Sequence, residues 1–220
     1  MRILRRISAK ESIQHEVLLI NGSPHEKGCT YTALSLIAGE LKAQGIETEI
    51  LHVGGQPVGG CIGCGGCRSG NGCVFGGVVN EAIEKAKTAD AFVFGSPVHY
   101  ASAAGNMASF MDRLAYAGGK YLAYKPAAVC CSARRAGTTS TLDQLVKYPQ
   151  FFHMPLVNGS YWAMVHGSNP EQVLQDAEGC AVMQELGRNM AWLLRCIEAG
   201  KAAGIDHPQN PPRPMTNFIR

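Results

Sequence analysis

The first long pattern in the chain is an unbroken apolar run, Val17-Leu-Leu-Ile20, stopped by Asn21-Gly22 and followed by a polar loop that reaches Thr30. A run without alternation predicts a strand buried on both faces, as the centre of a parallel sheet requires. From Thr30 the period changes. Leu34, Ile37, Ala38 and Leu41 recur at helical steps while Glu40 and Lys42 turn away, which predicts a helix. Residues 46–53 alternate after Gln44-Gly45 and predict a strand nearer the sheet edge. Over 78–88, Val79, Ala82, Ile83 and Ala86 share one helical face.

The first design then repeats. A short apolar strand over 90–97 leads through Val98, His99, Tyr100 and Ala101 to Gly105. A helix over 106–116 follows, with Met107, Phe110, Met111 and Leu114 as its buried stripe. Pro126-Ala-Ala-Val-Cys-Cys-Ser132 predicts a fourth strand, which runs on through Arg134, Arg135 and Gly137 to a helix over 139–147. A fifth strand is expected near 154–157, and a last long helix over 170–199.

Strands alternating with helices imply an α/β protein, a three-layer doubly wound sandwich with a five-stranded parallel sheet under right-handed crossovers. In such sheets the ligand lies across the carboxyl ends of the strands, at the switch in strand order. The loops starting at Ser23, Pro97 and Ser132 are therefore expected to converge. We read one domain over 17–200, an N-terminal extension over 1–16, and a tail over 201–220. Pro208, Pro211, Pro212 and Pro214 keep the tail from being helical, and it is expected to run over another subunit and end in Phe218-Ile219 as an apolar hook.

The loop after the first strand suits an anion. It offers hydroxyls at Ser23 and Thr30, glycines at 22 and 28, and the positive end of a helix. Lys27 precedes Gly28, so the Gly-Lys-Ser/Thr order of a nucleoside-triphosphate loop is missing. Two glycines six residues apart also fail the dinucleotide pattern. A lone phosphate monoester fits best, and an ordinary βα turn with a threonine cap is the plain alternative.

With 220 residues, 46% of them hydrophobic, the chain can bury a substantial core. A net charge of +3 and no basic run beyond the pairs Arg5-Arg6 and Arg134-Arg135 argue against nucleic acid and acidic membranes as partners. The basic start is followed by Ser8, Lys10, Glu11 and Gln14, not by an apolar segment, so a cytoplasmic protein is expected.

Nine cysteines in such a chain point to metal, cluster or redox chemistry. Cys61, Cys64, Cys67 and Cys73 are spaced x2, x2 and x5 with glycines between them. That spacing lets one loop wrap a small centre and point N–H groups at sulfur. Zinc and an empty thiol loop stay open as alternatives. Cys130 and Cys131 on a strand, and Cys180 and Cys196 on a helix, read as small core residues.

Leu19-Ile-Asn-Gly-Ser-Pro24, Gly28-Cys-Thr30, Gly95-Ser-Pro-Val-His-Tyr100 and Asp112-Arg113 together resemble the NADPH-dependent FMN reductase family of flavodoxin-like proteins. The resemblance runs from Val17 to about Ala199, and the cysteine loop is most similar to the iron-sulfur flavoprotein branch. It implies that Ser23, Lys27, Cys29 and Thr30 surround the FMN phosphate, with Cys29 where asparagine is common. It places Pro97, Val98, His99, Tyr100, Ala101 and Ser102 beside the isoalloxazine ring, His99 and Tyr100 supplying stacking surfaces. The loop from Ser132 to Thr138, with Arg135 and Gly137, closes the other side. As a pair in a polar loop, Arg134 and Arg135 suit bidentate contacts to the phosphates of a nicotinamide dinucleotide, a solvated pair being the plain alternative. The resemblance also implies a [4Fe-4S] cluster on Cys61, Cys64, Cys67 and Cys73.

Gly76-Gly77 stands where the family tends to have an acidic pair, which costs favourable charge at a helix start. Tyr161-Trp162 is expected to roof the flavin or to pack under the last helix.

The expected activity is that of an FMN-dependent NAD(P)H oxidoreductase passing electrons to a small acceptor such as a quinone, free flavin or nitroaromatic. Turnover would be ping-pong, with no catalytic side chain because the flavin carries the chemistry. A homodimer or homotetramer is expected. The alternatives are an iron-sulfur flavoprotein carrying electrons between partner proteins, and a flavin- or redox-sensing module without turnover.

Overall fold

The computed structural model describes residues 15–212, 214 and 216. The stretch 1–14 and the pair Phe218-Ile219 lie outside the described residues. The first strand, β1 (Glu16–Asn21), leads into helix α1 (Cys29–Ala43), and β2 (Glu47–His52) returns parallel to β1. Helix α2 (Val78–Thr88) leads into β3 (Ala91–His99), and a two-residue strand β4 (Ser102–Ala103) folds back antiparallel onto the end of β3. Helix α3 (Gly105–Gly118), β5 (Ala127–Ala133), α4 (Thr138–Phe151) and β6 (Met164–His166) follow, and α5 (Pro170–Val173) and α6 (Ala177–Ala202) close the fold.

The parallel sheet has the order β2-β1-β3-β5-β6, a doubly wound arrangement whose switch lies between β1 and β3. The apolar runs predicted as central strands are central. Val17, Leu19 and Val93 face α1 and α6, whereas Leu18, Ile20, Phe92 and Phe94 face α2, α3 and Leu145 of α4. Each such buried side chain contributes about 1.5–3 kcal/mol relative to exposure. The alternating segment is β2, on the sheet edge as expected.

The fifth strand is not where the sequence places it. Leu156 makes one isolated parallel bridge to Ala127, after which the chain leaves the sheet and pairs again with β5 only at Met164, opposite Cys131. Pro155 has no N–H to donate and Asn158-Gly159-Ser160 favours a turn, so the run over 154–157 cannot extend its ladder. The last helix is also broken. Asn169 caps α5 by accepting from the Gln172 N–H at 2.9 Å, and Asp176 caps α6 by accepting from the Gly179 N–H at 3.0 Å. Two side-chain caps seven residues apart in sequence start two helices instead of one.

His15 ties three segments together, with Nδ1 3.3 Å from an Asp90 carboxylate oxygen and Nε2 3.1 Å from Glu198. Beyond Gly204 the backbone is irregular and exposed up to 212. His207 stacks on Tyr124 with centroids 4.4 Å apart, and Asn210 donates to the Tyr124 hydroxyl at 2.6 Å. This part of the tail rests on its own chain. Among the described residues no helix is long and apolar enough to cross a membrane.

Candidate functional site

Between β1 and α1 the loop is braced by its own side chains. Asn21 accepts from the Ser23 N–H at 3.1 Å and donates to the Glu26 carbonyl at 2.9 Å, while Ser23 Oγ accepts from the His25 N–H at 3.1 Å. The Gly22 N–H donates to the Gly95 carbonyl at 2.9 Å, joining the loop to β3. His52 Nε2, at the end of β2, donates to the Ser23 carbonyl at 2.8 Å. Gly54 lies directly under that carbonyl, with no room for a methyl group.

Helix α1 starts at Gly28 with no side-chain cap. The first helical N–H to find an acceptor is that of Thr32, on the Gly28 carbonyl. The N–H groups of Cys29, Thr30 and Tyr31 find no acceptor among the described residues, an arrangement whose chemistry suits an anion. Beneath it the buried hydroxyls of Thr30 and Ser132 share a 2.8 Å hydrogen bond. One of the two can donate to the other, which leaves one proton free for a ligand.

The Cys29 thiol is turned toward the Gly167 carbonyl, 3.5 Å away. Burial, the largest influence, raises its pKa. Lys27 is exposed on the rim of the loop.

The second loop is a tight hairpin. Val98 and His99, expected in a loop, continue β3 and pair with Ala103 and Ser102. Tyr100 and Ala101 make the turn with φ of 50° and 57°, the left-handed pair that a two-residue hairpin demands and that glycine or asparagine usually supplies. Non-glycine residues there cost about 1–2 kcal/mol each. Such strain persists only where the surroundings hold it.

Helix α4 and the glycine before it do the holding. Gln144 accepts from the Ser102 hydroxyl at 2.6 Å and the Ala103 N–H at 2.8 Å, and Ser140 Oγ donates to the Ala101 carbonyl at 2.7 Å. Gly137, with φ of 95°, lies so close that a methyl group on it would stand 2.7 Å from Ala101 Cα. Replacing Ala101 by glycine is expected to raise stability by about 0.5–1 kcal/mol, the relieved strain being partly offset by a more flexible unfolded chain. A denaturant midpoint no higher than that of the parent would sink this account.

Thr30 and Ser132 are thus brought together, and so are Val98, Ala101 and Gly137, with Pro97 opposite Ser132 in the ladder; Ser23 is buried in the loop after β1, where its hydroxyl accepts from the His25 N–H. His99, Tyr100, Arg134 and Arg135 stand exposed around this edge. The two arginines have no ion-pair partner among the described residues. Tyr161 and Trp162 do not pack under α6. They stand against α4, lining a cavity of about 490 Å³ with Leu142 and Val146.

A second cavity, of about 320 Å³, is lined by Cys61, Cys64, Cys67 and Cys73 together. The loop wraps it through a 3-10 turn, Gly66–Ser69, flanked by left-handed Gly65 and Gly70. Asn80 of α2 clamps Cys73, accepting from its N–H at 2.8 Å and donating to its carbonyl at 3.0 Å. Among the described residues no group of three or more His, Cys, Asp or Glu side chains is placed to hold a single metal ion. The donor set is nonetheless all thiol, and the room exceeds what one ion fills.

The remaining cysteines differ sharply in accessibility. Cys130 and Cys131 are buried; burial pushes the Cys130 thiol far up and the Cys131 thiol up to about 12. Brief iodoacetamide treatment at pH 8 is expected to alkylate exposed Cys196 and spare this pair, as peptide mass spectrometry would show. Modification of Cys131 at the rate of Cys196 would contradict the burial.

A doubly wound sheet with an uncapped helix start beside its switch in strand order defines a flavodoxin-like α/β protein. Solved structures share the fold. RosB with a bound flavin-phosphate intermediate aligns with a TM-score of 0.66 at 14% identity, over 94% of this chain and 96% of that one. A flavodoxin, WrbA-like protein of Agrobacterium tumefaciens aligns at 0.59 and 12%, over 83% and 98%.

The model of the NADPH-dependent FMN reductase family matches residues 15–169, and the chain belongs to that family. It is accordingly a flavin-dependent oxidoreductase of the FMN class. An iron-sulfur flavoprotein of Methanocaldococcus jannaschii is 27% identical over 191 residues, spanning 83% of this chain and 99% of that relative.

Proposed function

We propose that the chain is an FMN-dependent NAD(P)H oxidoreductase that passes electrons to a small acceptor such as a quinone, free flavin or nitroaromatic. The observation that carries this reading is the meeting of three loops at the open start of α1. Its three free N–H groups, with Ser23, Thr30 and Ser132, suit a terminal phosphate. Pro97 to Ala101 and Gly137 form the adjoining wall for a flat ring. FMN, when bound, supplies the hydride-accepting centre. The chain's own residues grip the phosphate, set the ring's position and exclude water from one face.

Arg134 and Arg135, exposed and unpaired beside this wall, suit the phosphates of the incoming nicotinamide dinucleotide. Cys61, Cys64, Cys67 and Cys73 would hold a [4Fe-4S] cluster. Support comes from the four thiols that share this lining and from the room in the cavity. The test is direct. Protein purified without oxygen and reconstituted with FMN should oxidise NADPH or NADH when such an acceptor is present. Failure with both nicotinamides and every acceptor would end the reductase reading.

A second reading, an electron carrier between partner proteins, draws on the apolar rim of the cysteine cavity, where Ile62, Val74, Phe75 and Tyr116 are exposed. Reduction by a partner protein and never by a nicotinamide would favour it.

A further inference from the structure

Arg113 of α3 is buried, with 6% of its surface exposed. Its guanidinium faces no carboxylate within ion-pair distance among the described residues. The acid next to it in sequence, Asp112, instead accepts from the Tyr148 hydroxyl at 2.6 Å. Arg113 donates from Nη1 to the Gly59 carbonyl at 3.4 Å, from Nη2 to the Gly76 carbonyl at 3.0 Å, and from Nε to Cys73 Sγ at 3.2 Å. The Phe75 ring covers it, 5.5 Å from centroid to guanidinium carbon.

A buried cation without a counter-charge is costly, and two carbonyls and a ring do not balance it. A thiol is also a weak acceptor. Both problems vanish when the sulfur carries negative charge, since a guanidinium–thiolate hydrogen bond is charge-assisted.

We propose that Arg113 is the positioning and potential-setting residue of the cysteine-loop centre: it staples both stems of the loop and supplies the fixed positive charge that favours the reduced state. The inference rests on the cluster reading above. Each electron that enters the cluster makes it one charge more negative. A cation fixed against a ligand sulfur stabilises that state more than the oxidised one, in a place where solvent screens poorly.

The experiment is a redox titration of the native protein and of Arg113→Gln and Arg113→Lys, followed by electron paramagnetic resonance, with iron and acid-labile sulfide measured on each. In R113Q the reduced-to-oxidised ratio at a given potential should fall roughly tenfold, a shift of about 59 mV to more negative potential for one electron. R113K keeps the charge and should stay near the native value. A fully loaded R113Q with the native potential overturns the proposal.

Should R113Q fail to hold a cluster, the native chain decides. Grown with ¹⁵N-arginine, its reduced cluster should show a nitrogen hyperfine coupling that R113K lacks, and absence of that coupling in native protein overturns the proposal as well. Native protein without labile sulfide removes the cluster reading itself, and this inference with it. A loaded native protein with unmoved potentials removes only the role of Arg113.

Discussion

Gly54→Ala is expected to lower FMN affinity by about a hundredfold, equivalent to about 2.7 kcal/mol of binding. A methyl group at this position would stand 2.2 Å from the Ser23 carbonyl oxygen, 2.4 Å from its carbon and 2.6 Å from the Gly22 carbonyl oxygen. All three obstacles are backbone, so no side-chain rotation relieves them and the phosphate loop itself must move. Overpacking of this kind costs about 1–3 kcal/mol of stability. The same displacement pulls Ser23 from its place and strains the His52 hydrogen bond.

Fluorescence titration with FMN, run beside a denaturant melt, separates the two effects. Gly59→Ala is the control, because its methyl group would meet open space. Native FMN affinity in G54A would mean that the loop between β1 and α1 does not form the phosphate site.

Cys67→Ser is expected to remove the iron and labile sulfide while the protein keeps its FMN. The cavity lined by the four thiols has no lining residue in common with the phosphate loop, and a hydroxyl is a far poorer ligand than a thiolate for iron in such a centre. Metal analysis and the visible spectrum read both cofactors at once. A single zinc per chain in native protein, lost in this variant, would replace the cluster with a structural zinc site. Undiminished iron in the variant would remove Cys67 from the ligand set.

Much of this architecture is written in local pattern. The runs that became β1, β3 and β5 are apolar without alternation because both faces are covered, although β3 runs on past its Gly95-Ser-Pro97 signal to His99. The place of the loop between β1 and α1 was legible for a related reason: the glycines and hydroxyls that mark it are neighbouring residues.

What stayed hidden depends on distant contacts. Gly54 reads as an ordinary loop glycine until β2 lies beside β1 and brings it under Ser23. Nothing in the sequence near Gln144 or Ser140 announces that they hold a strained turn more than forty and nearly forty residues away, respectively. Arg113 could be seen beside Asp112, but its burial among loop carbonyls needs α3 and the cysteine loop in register. The fifth strand was misplaced because three residues carry too little periodicity to outweigh the more apolar stretch before them.

The His15 contacts have a practical corollary. By joining the first residue before β1 to Glu198 near the end of α6, they bring both ends of the fold to the edge of the sheet remote from the ligand loops. A short peptide could therefore splice those ends together, and fresh termini could be cut into the excursion around Gly159, giving a circular permutant whose loops at the opposite edge of the sheet are undisturbed. By the same token, tethering the molecule to a surface through that remote edge would leave the loops after β1, β3 and β5 turned outward.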